Sequence, residues 1–187
     1  MRIILASSSP RRKELMRRLG IEFEVIPSRV KEILEGEEWG ETVERLALQK
    51  AREVFERTFE ERVVIGADTI VVVNGRVLGK PRDFQQAKEF LKMLSGREHT
   101  VYTGVAFVWN EGEHSFHEKT IVKFRDLPDD LIEKYVESGS PMDKAGAYGI
   151  QDLGAVFVER VEGDFYTVMG LPIGRVWEFM YEKGWWR

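Results

Sequence analysis

From Val63 to Val73 the chain is an almost unbroken apolar run, and Asp68 stands in the middle of it. Its β-branched residues and the Asn74-Gly75 pair that follows predict a strand that turns back through Arg76–Leu78 as a hairpin. A carboxylate inside such a strand is costly unless it is paired or binds a metal. Gly66 and Ala67 are expected to leave space beside Asp68 for a ligand to approach. The competing reading is a bulge or turn aspartate bonded to backbone N–H groups.

Around this strand the pattern alternates between helix and sheet. Arg2–Ala6 predicts a short buried strand, and Ser7-Ser8-Ser9-Pro10 a helix start, with serine at the cap and proline in the first turn. Leu15 and Leu19 share one face of that helix, and Gly20 closes it. Glu22–Ile26 alternates as a strand with Phe23 and Val25 inward, and Ser28–Gly40 is a polar, acidic loop. Glu41–Phe59 carries a helical stripe of Val43, Leu46, Ala47, Val54 and Phe55.

Asp83 caps a helix to Leu94, ended by Ser95-Gly96. His99–Trp109 and Ser115–Phe124 predict two long strands joined by a turn at Asn110–Glu113. A helix from Pro128-Asp129 to about Ser138, a glycine-rich stretch over Gly139–Gly149 and a strand over Ala155–Val161 follow. Pro172–Lys183 reads as the last helix, with Trp185-Trp186 packing back on the body. Frequent hairpins among interspersed helices predict an α/β fold with a mixed sheet. No repeat or linker divides the 187 residues, which read as a single domain over 1–187.

The chain is 43% hydrophobic and 32% charged, which excludes a disordered protein. Its net charge of −4 argues against broad binding to nucleic acid or membrane. No apolar run reaches the roughly 20 residues that span a bilayer, and the Met1–Ala6 run is too short for a signal-peptide core. There is no cysteine, hence no disulfide framework. A cytoplasmic protein is expected. The 24 Glu against 2 Asn and 4 Gln fit a heat-adapted composition.

Three further places break local rules. Arg11-Arg12-Lys13 lies in the first turn of a helix, where the dipole disfavours cations by roughly 0.3–1 kcal/mol each. Beside exposed N–H groups and the hydroxyls of Ser7, Ser8 and Ser9, they predict an anion site; a solvated basic turn is the alternative. Lys50 shares the buried stripe of its helix, either to meet Asp68 in one site or to snorkel to water at the stripe's edge. Gly79-Lys80-Pro81 differs from a phosphate-binding loop in spacing and in the proline, but a stiff turn can fix Lys80 as a point charge for phosphate. The three histidines match no metal-ligand spacing, and no Gly-x-Ser-x-Gly elbow occurs.

Leu5-Ala6-Ser7-Ser8-Ser9-Pro10-Arg11-Arg12, Leu46-Ala47 with Lys50-Ala51, Gly66-Ala67-Asp68-Thr69 and Gly79-Lys80-Pro81 resemble the Maf family of nucleoside triphosphate pyrophosphatases. The likeness continues through Thr103-Gly104-Val105, Asp143–Gln151 and Val168-Met169-Gly170-Leu171-Pro172, nearly the whole chain. It implies an elongated, two-lobed fold similar to inosine triphosphate pyrophosphatases, with the active site in a central cleft. It implies metal-assisted hydrolysis of a nucleoside triphosphate to the monophosphate and pyrophosphate, with Mg²⁺ or Mn²⁺ as the divalent cation.

By the same resemblance Asp68 matches the proton acceptor and Glu32 an acidic residue in the loop after the second strand; the two carboxylates are expected to hold the metal. Ser8, Arg11, Lys50 and Lys80 match phosphate-side residues. Arg12, Thr69 and Gln151 match the positions that separate subfamilies, here in the form of the dTTP/UTP branch. Asp152 stands where the family commonly has glycine, which would add a charge near the base pocket. The resemblance also suggests a homodimer. A rival expectation is a nucleotide-binding regulator of cell division that does not hydrolyse its ligand.

Overall fold

The computed structural model describes residues 1–34 and 38–186. Among them the chain runs β1 (Arg2–Leu5), α1 (Pro10–Arg18), β2 (Glu24–Val25), α2 (Trp39–Glu56), β3 (Arg62–Val73), β4 (Arg76–Leu78), α3 (Phe84–Leu94), β5 (Glu98–Trp109), β6 (Gly112–Phe124), α4 (Asp129–Glu137), β7 (Val158–Glu162), α5 (Phe165–Met169) and α6 (Ile173–Glu182). The described strands form a mixed sheet in the order β2-β1-β3-β5-β6-β7, with β4 paired to β3. The α/β class expected from the sequence is therefore observed. The chain divides into two compact units, residues 1–68, 103–118 and 170–187, and residues 69–102 and 119–169.

In the first unit β1 runs parallel to both β2 (Ile4↔Glu24) and β3 (Ile4↔Val64). The apolar stripe of α2 covers these strands: Ala47, Ala51 and Val54 pack with Ile4, Ala6, Val64, Ala106 and Val108. Two glycines set how closely the helix lies. A Cβ on Gly66 would stand 2.2 Å from the Ala47 carbonyl oxygen, and one on Gly104 would stand 2.3 Å from that of Val43. The tail packs back as expected: Trp185 meets Phe107 and Trp109, and Trp186 Nε1 donates to the Leu19 carbonyl at 2.8 Å.

The second unit begins with the far end of β3, which pairs antiparallel with β4 through left-handed Asn74 and Gly75. Asp83 caps α3 through Gln86 N at 2.7 Å, and α3 packs on α4. β6 and β7 pair antiparallel, with a register shift at Lys123/Phe124.

Several boundaries differ from the sequence reading. β2 keeps only Glu24–Val25, with Phe23 and Val25 half-buried. α2 starts at Trp39, so the expected Ser28–Gly40 loop ends earlier; its residues 35–37 lie outside the described residues. Helix α2 ends at Glu56, and Phe59 is 77% exposed beyond it. The β5–β6 turn is Asn110-Glu111. Residues 153–157 form a 3-10 turn rather than the start of a strand, because Asp152 accepts from Gly154 N and caps it. Helix α5 was not foreseen, although Asp164 caps it by accepting from both Thr167 N and Thr167 Oγ1.

Candidate active site

In the first unit the chemistry gathers where α2 crosses β3. Alternate strand residues share a face, so Gly66 and Asp68 point the same way. Gly66 meets Ala47, and Lys50, one turn further along α2, meets Asp68. The space left by Gly66 is thus filled by the α2 backbone. That corrects the expectation that a ligand approaches there. The glycine instead brings the lysine to the carboxylate.

Asp68 is 4% exposed and Lys50 7% exposed, and Lys50 Nζ donates to Asp68 Oδ1 at 2.5 Å. The bulge and snorkelling readings are both set aside, because Asp68 lies within a regular strand and its partner is a buried ammonium. Lys50 Nζ also donates to Glu32 Oε1 at 2.5 Å, on an exposed loop. That loop is tied to α2 and its C-cap by Arg57 to the Pro27 carbonyl, Arg29 N to Glu53, and Arg45 to the Ile33 carbonyl. These ties carry Glu32 to Lys50.

Burial pushes the Asp68 carboxyl above its ordinary value; Lys50 opposes the shift and Glu32 adds to it. Arg12 supplies further positive charge toward Asp68 and Glu32, and burial lowers its guanidinium from the ordinary value. Arg12 Nε donates to the Gly170 carbonyl at 2.8 Å and Nη1 to Ser7 Oγ at 3.3 Å. The start of α1 is more self-contained than expected. Ser9 Oγ accepts from Arg12 N, Ser7 Oγ from Ser9 N, and the Ser9 carbonyl from Lys13 N. Ser8 is exposed and Arg11 half-exposed beside it.

Asp68, Lys50, Glu32 and Arg12 are therefore brought together, with Ser8 and Arg11 at the head of α1. Thr69, Lys80 and Gln151 belong to the second unit. Thr69 is half-exposed on β3, whereas Lys80 is exposed in the irregular segment after β4 and Gln151 is exposed in a turn. Gly146 N donates to the Gly79 carbonyl at 3.1 Å, which joins the lysine's segment to the glycine-rich stretch.

Asp152, expected to add a charge near the base pocket, is bound by Tyr135, Ser140, Lys144 and Gly154 N. Sequence reading had not linked Tyr135, Ser140 or Lys144 to it. Tyr135 is too far away in sequence to be found by local spacing.

A family model described as "Maf-like protein" matches residues 2–183. The chain belongs to the Maf family. A protein of Thermotoga maritima named dTTP/UTP pyrophosphatase is 58% identical to this Maf chain over 189 residues, covering 100% of it and 92% of the relative. One of Bacillus cytotoxicus with the same name is 49% identical over 176 residues, covering 94% and 92%. Among solved structures, a HAM1 protein from Coxiella burnetii aligns over 97% of this Maf chain and 99% of its own, with a TM-score of 0.53 and 19% identity. That likeness concerns the fold alone.

Proposed function

We propose that this Maf protein hydrolyses dTTP and UTP to the monophosphate and pyrophosphate, and that residues 1–187 act as one Maf domain. The observation that carries the reaction is the buried Asp68 carboxylate held by Lys50 beside Glu32. The names borne by the relatives support the pyrimidine substrates.

A triphosphate carries about four negative charges near neutral pH, and an acidic protein must offset them locally. Arg11, Lys50 and Lys80 supply cations for this, with Ser8 as a hydroxyl partner and the first N–H groups of α1 beside them. Asp68 takes a proton from water as the water oxygen bonds to the α-phosphorus. The bond from that phosphorus to the bridging oxygen then breaks, and pyrophosphate leaves. A carboxyl with a raised pKa is a better proton acceptor than an ordinary aspartate. Positioning and charge stabilisation supply most of the rate gain in such chemistry.

Among the described residues no group of three or more His, Cys, Asp or Glu side chains could hold a metal ion. Lys50 Nζ takes one oxygen of each carboxylate, so a magnesium-type site, which needs one or two carboxylates and completes its shell with water and substrate phosphate, would use the other oxygen of Asp68 and of Glu32. When bound there, Mg²⁺ or Mn²⁺ would neutralise charge on the phosphate oxygens.

Thr69 and Gln151 offer hydrogen-bonding groups to a pyrimidine edge, and Arg12 acts either by hydrogen bonding or by blocking a larger base. These roles, a homodimer and a cytoplasmic setting rest on the family resemblance. Among the described residues no helix is long and apolar enough to cross a membrane.

The test is pyrophosphate release across canonical triphosphates, with Mg²⁺ and with Mn²⁺. Preferred turnover of dTTP and UTP is expected. No turnover with any triphosphate would overturn the proposal in favour of a non-hydrolysing nucleotide binder, a reading that no observation here favours.

A further inference from the structure

Exposed Gln151 sits in a turn whose base is built from buried and half-buried polar contacts. Asp152, next in the chain, is the hub. Its Oδ1 accepts from Tyr135 Oη at 3.0 Å and from Gly154 N at 2.8 Å. Its Oδ2 accepts from Ser140 Oγ at 2.7 Å and lies 3.4 Å from Lys144 Nζ. Tyr135 Oη in turn accepts from Gly149 N at 3.0 Å, on the other side of Gln151. One phenol therefore ties both ends of the turn. The tyrosine is fully buried, with its ring edge-on to Phe157 at 4.9 Å. Burial pushes its hydroxyl pKa well above the ordinary value, so it keeps the proton it gives to Asp152. The network also leaves no room for another side chain: a Cβ on Gly149 would stand 2.6 Å from Asp152 Oδ2.

A second tie holds the preceding residue. Tyr148 is buried and its hydroxyl lies 2.8 Å from His99 Nε2 on β5. Gly146 N bonds to the Gly79 carbonyl, one residue before Lys80. The stretch from Gly146 to Gly154 is therefore fixed at several points along its length, and Gln151 projects from it.

We propose that Tyr135 and Asp152 are positioning residues for base selection: their hydrogen-bonded bracket holds the Gln151 turn in the one geometry that reads a pyrimidine edge. The inference rests on the assignment of Gln151 to the base made above. Neither residue needs to touch the substrate. A side chain that reads hydrogen bonds must be held to a fraction of an ångström, and a loop fixed at one end would not do this.

The experiment compares kcat/KM for dTTP with that for dGTP in the full chain and in Gln151→Ala, Tyr135→Phe, Asp152→Ala and Asp152→Asn. Tyr135→Phe and Asp152→Ala should each lower the dTTP/dGTP ratio by roughly tenfold or more. Asp152→Asn keeps an acceptor toward Tyr135 and Gly154 N, so it should recover most of what Asp152→Ala loses. A merely structural role would lower both rates together and leave the ratio in place.

The outcomes separate the two claims. If Gln151→Ala changes the ratio while folded Tyr135→Phe and Asp152→Ala keep the parent value, the bracket is overturned and the base assignment stands. If Gln151→Ala keeps the ratio in an active enzyme, the base assignment falls and this inference falls with it. Amide exchange in the parent chain tests the bracket even if Tyr135→Phe fails to fold. Gly149 and Gly154 amides should exchange slowly; exchange at the rate of an open loop would overturn the proposal.

Discussion

Lys50 Nζ lies 2.5 Å from Asp68 Oδ1 inside the first unit, and both side chains are nearly closed to solvent. Removing one member of such a pair strands the other charge. Lys50→Met should therefore cost about 3–5 kcal/mol in urea denaturation. Adding Asp68→Asn should restore much of that loss, because the stranded charge is gone. A single-variant cost under about 1 kcal/mol would show that the pair is not electrostatically important to the fold.

Asp68→Asn bears on the chemistry. The amide keeps the shape and an acceptor for Lys50 but cannot take a proton from water. Pyrophosphate release from dTTP and UTP should fall by about 10²–10⁴-fold or more, while calorimetric binding of the triphosphate persists. Turnover within a few-fold of the parent would remove Asp68 from the proton-transfer role.

Gly66 tests how the site is positioned. An added methyl group meets the Ala47 carbonyl of α2 at 2.2 Å, and a backbone atom cannot swing away. Gly66→Ala should cost about 1–3 kcal/mol and lower turnover by moving Lys50 off Asp68. Gly174→Ala is the contrast. It lies in the first turn of α6 with nothing among the described residues within 4 Å of the added carbon, and should be neutral or stabilise by up to about 0.5 kcal/mol. Equal effects of the two substitutions would refute the close-packing argument.

Lys80 is exposed in the segment after β4, so removing its charge leaves no buried partner behind among the described residues. Lys80→Ala should weaken turnover with the melting midpoint unchanged. An unaltered rate would make Lys80 an ordinary surface lysine.

Much of the site was legible because its members violate local rules. Asp68 interrupts an apolar run, and Lys50 sits on an apolar helical stripe; each violation signals a partner. What Gly66 does was not legible, since a missing side chain beside a carboxylate suggests a ligand as readily as a helix. Long elements were read well because α2, β3, β5 and α3 repeat their pattern over many residues. Residues 155–157 were misread because they continue the apolar run of the strand after them, while the capping by Asp152 depends on contacts with Tyr135 and Ser140 that only folding creates. The cap of α5 differs: Asp164 three residues before Thr167 was there to be seen.

His99 gives the pH dependence of stability. It is 3% exposed on β5, with Phe124 and Tyr148 edge-on to its ring. Nε2 meets the Tyr148 hydroxyl, while Nδ1 has no hydrogen-bond partner among the described residues. Burial pulls its pKa from 6.5 to about 3, because a charged ring would lie there without compensation. The fold therefore favours the neutral ring. The stability this contributes is whole above about pH 6.5 and is lost as the pH falls toward 3. At about 1.4 kcal/mol per pH unit, the loss between pH 7 and pH 4 is about 3 kcal/mol. His99→Phe removes the titrating group. It leaves the Tyr148 hydroxyl without that partner, but burial keeps the phenol neutral across this range, so the cost is the same at every pH. Urea denaturation at pH 7, 5 and 4 should show the parent losing about 3 kcal/mol more than the variant. Parallel losses in the two proteins would mean that His99 does not set the acid limit.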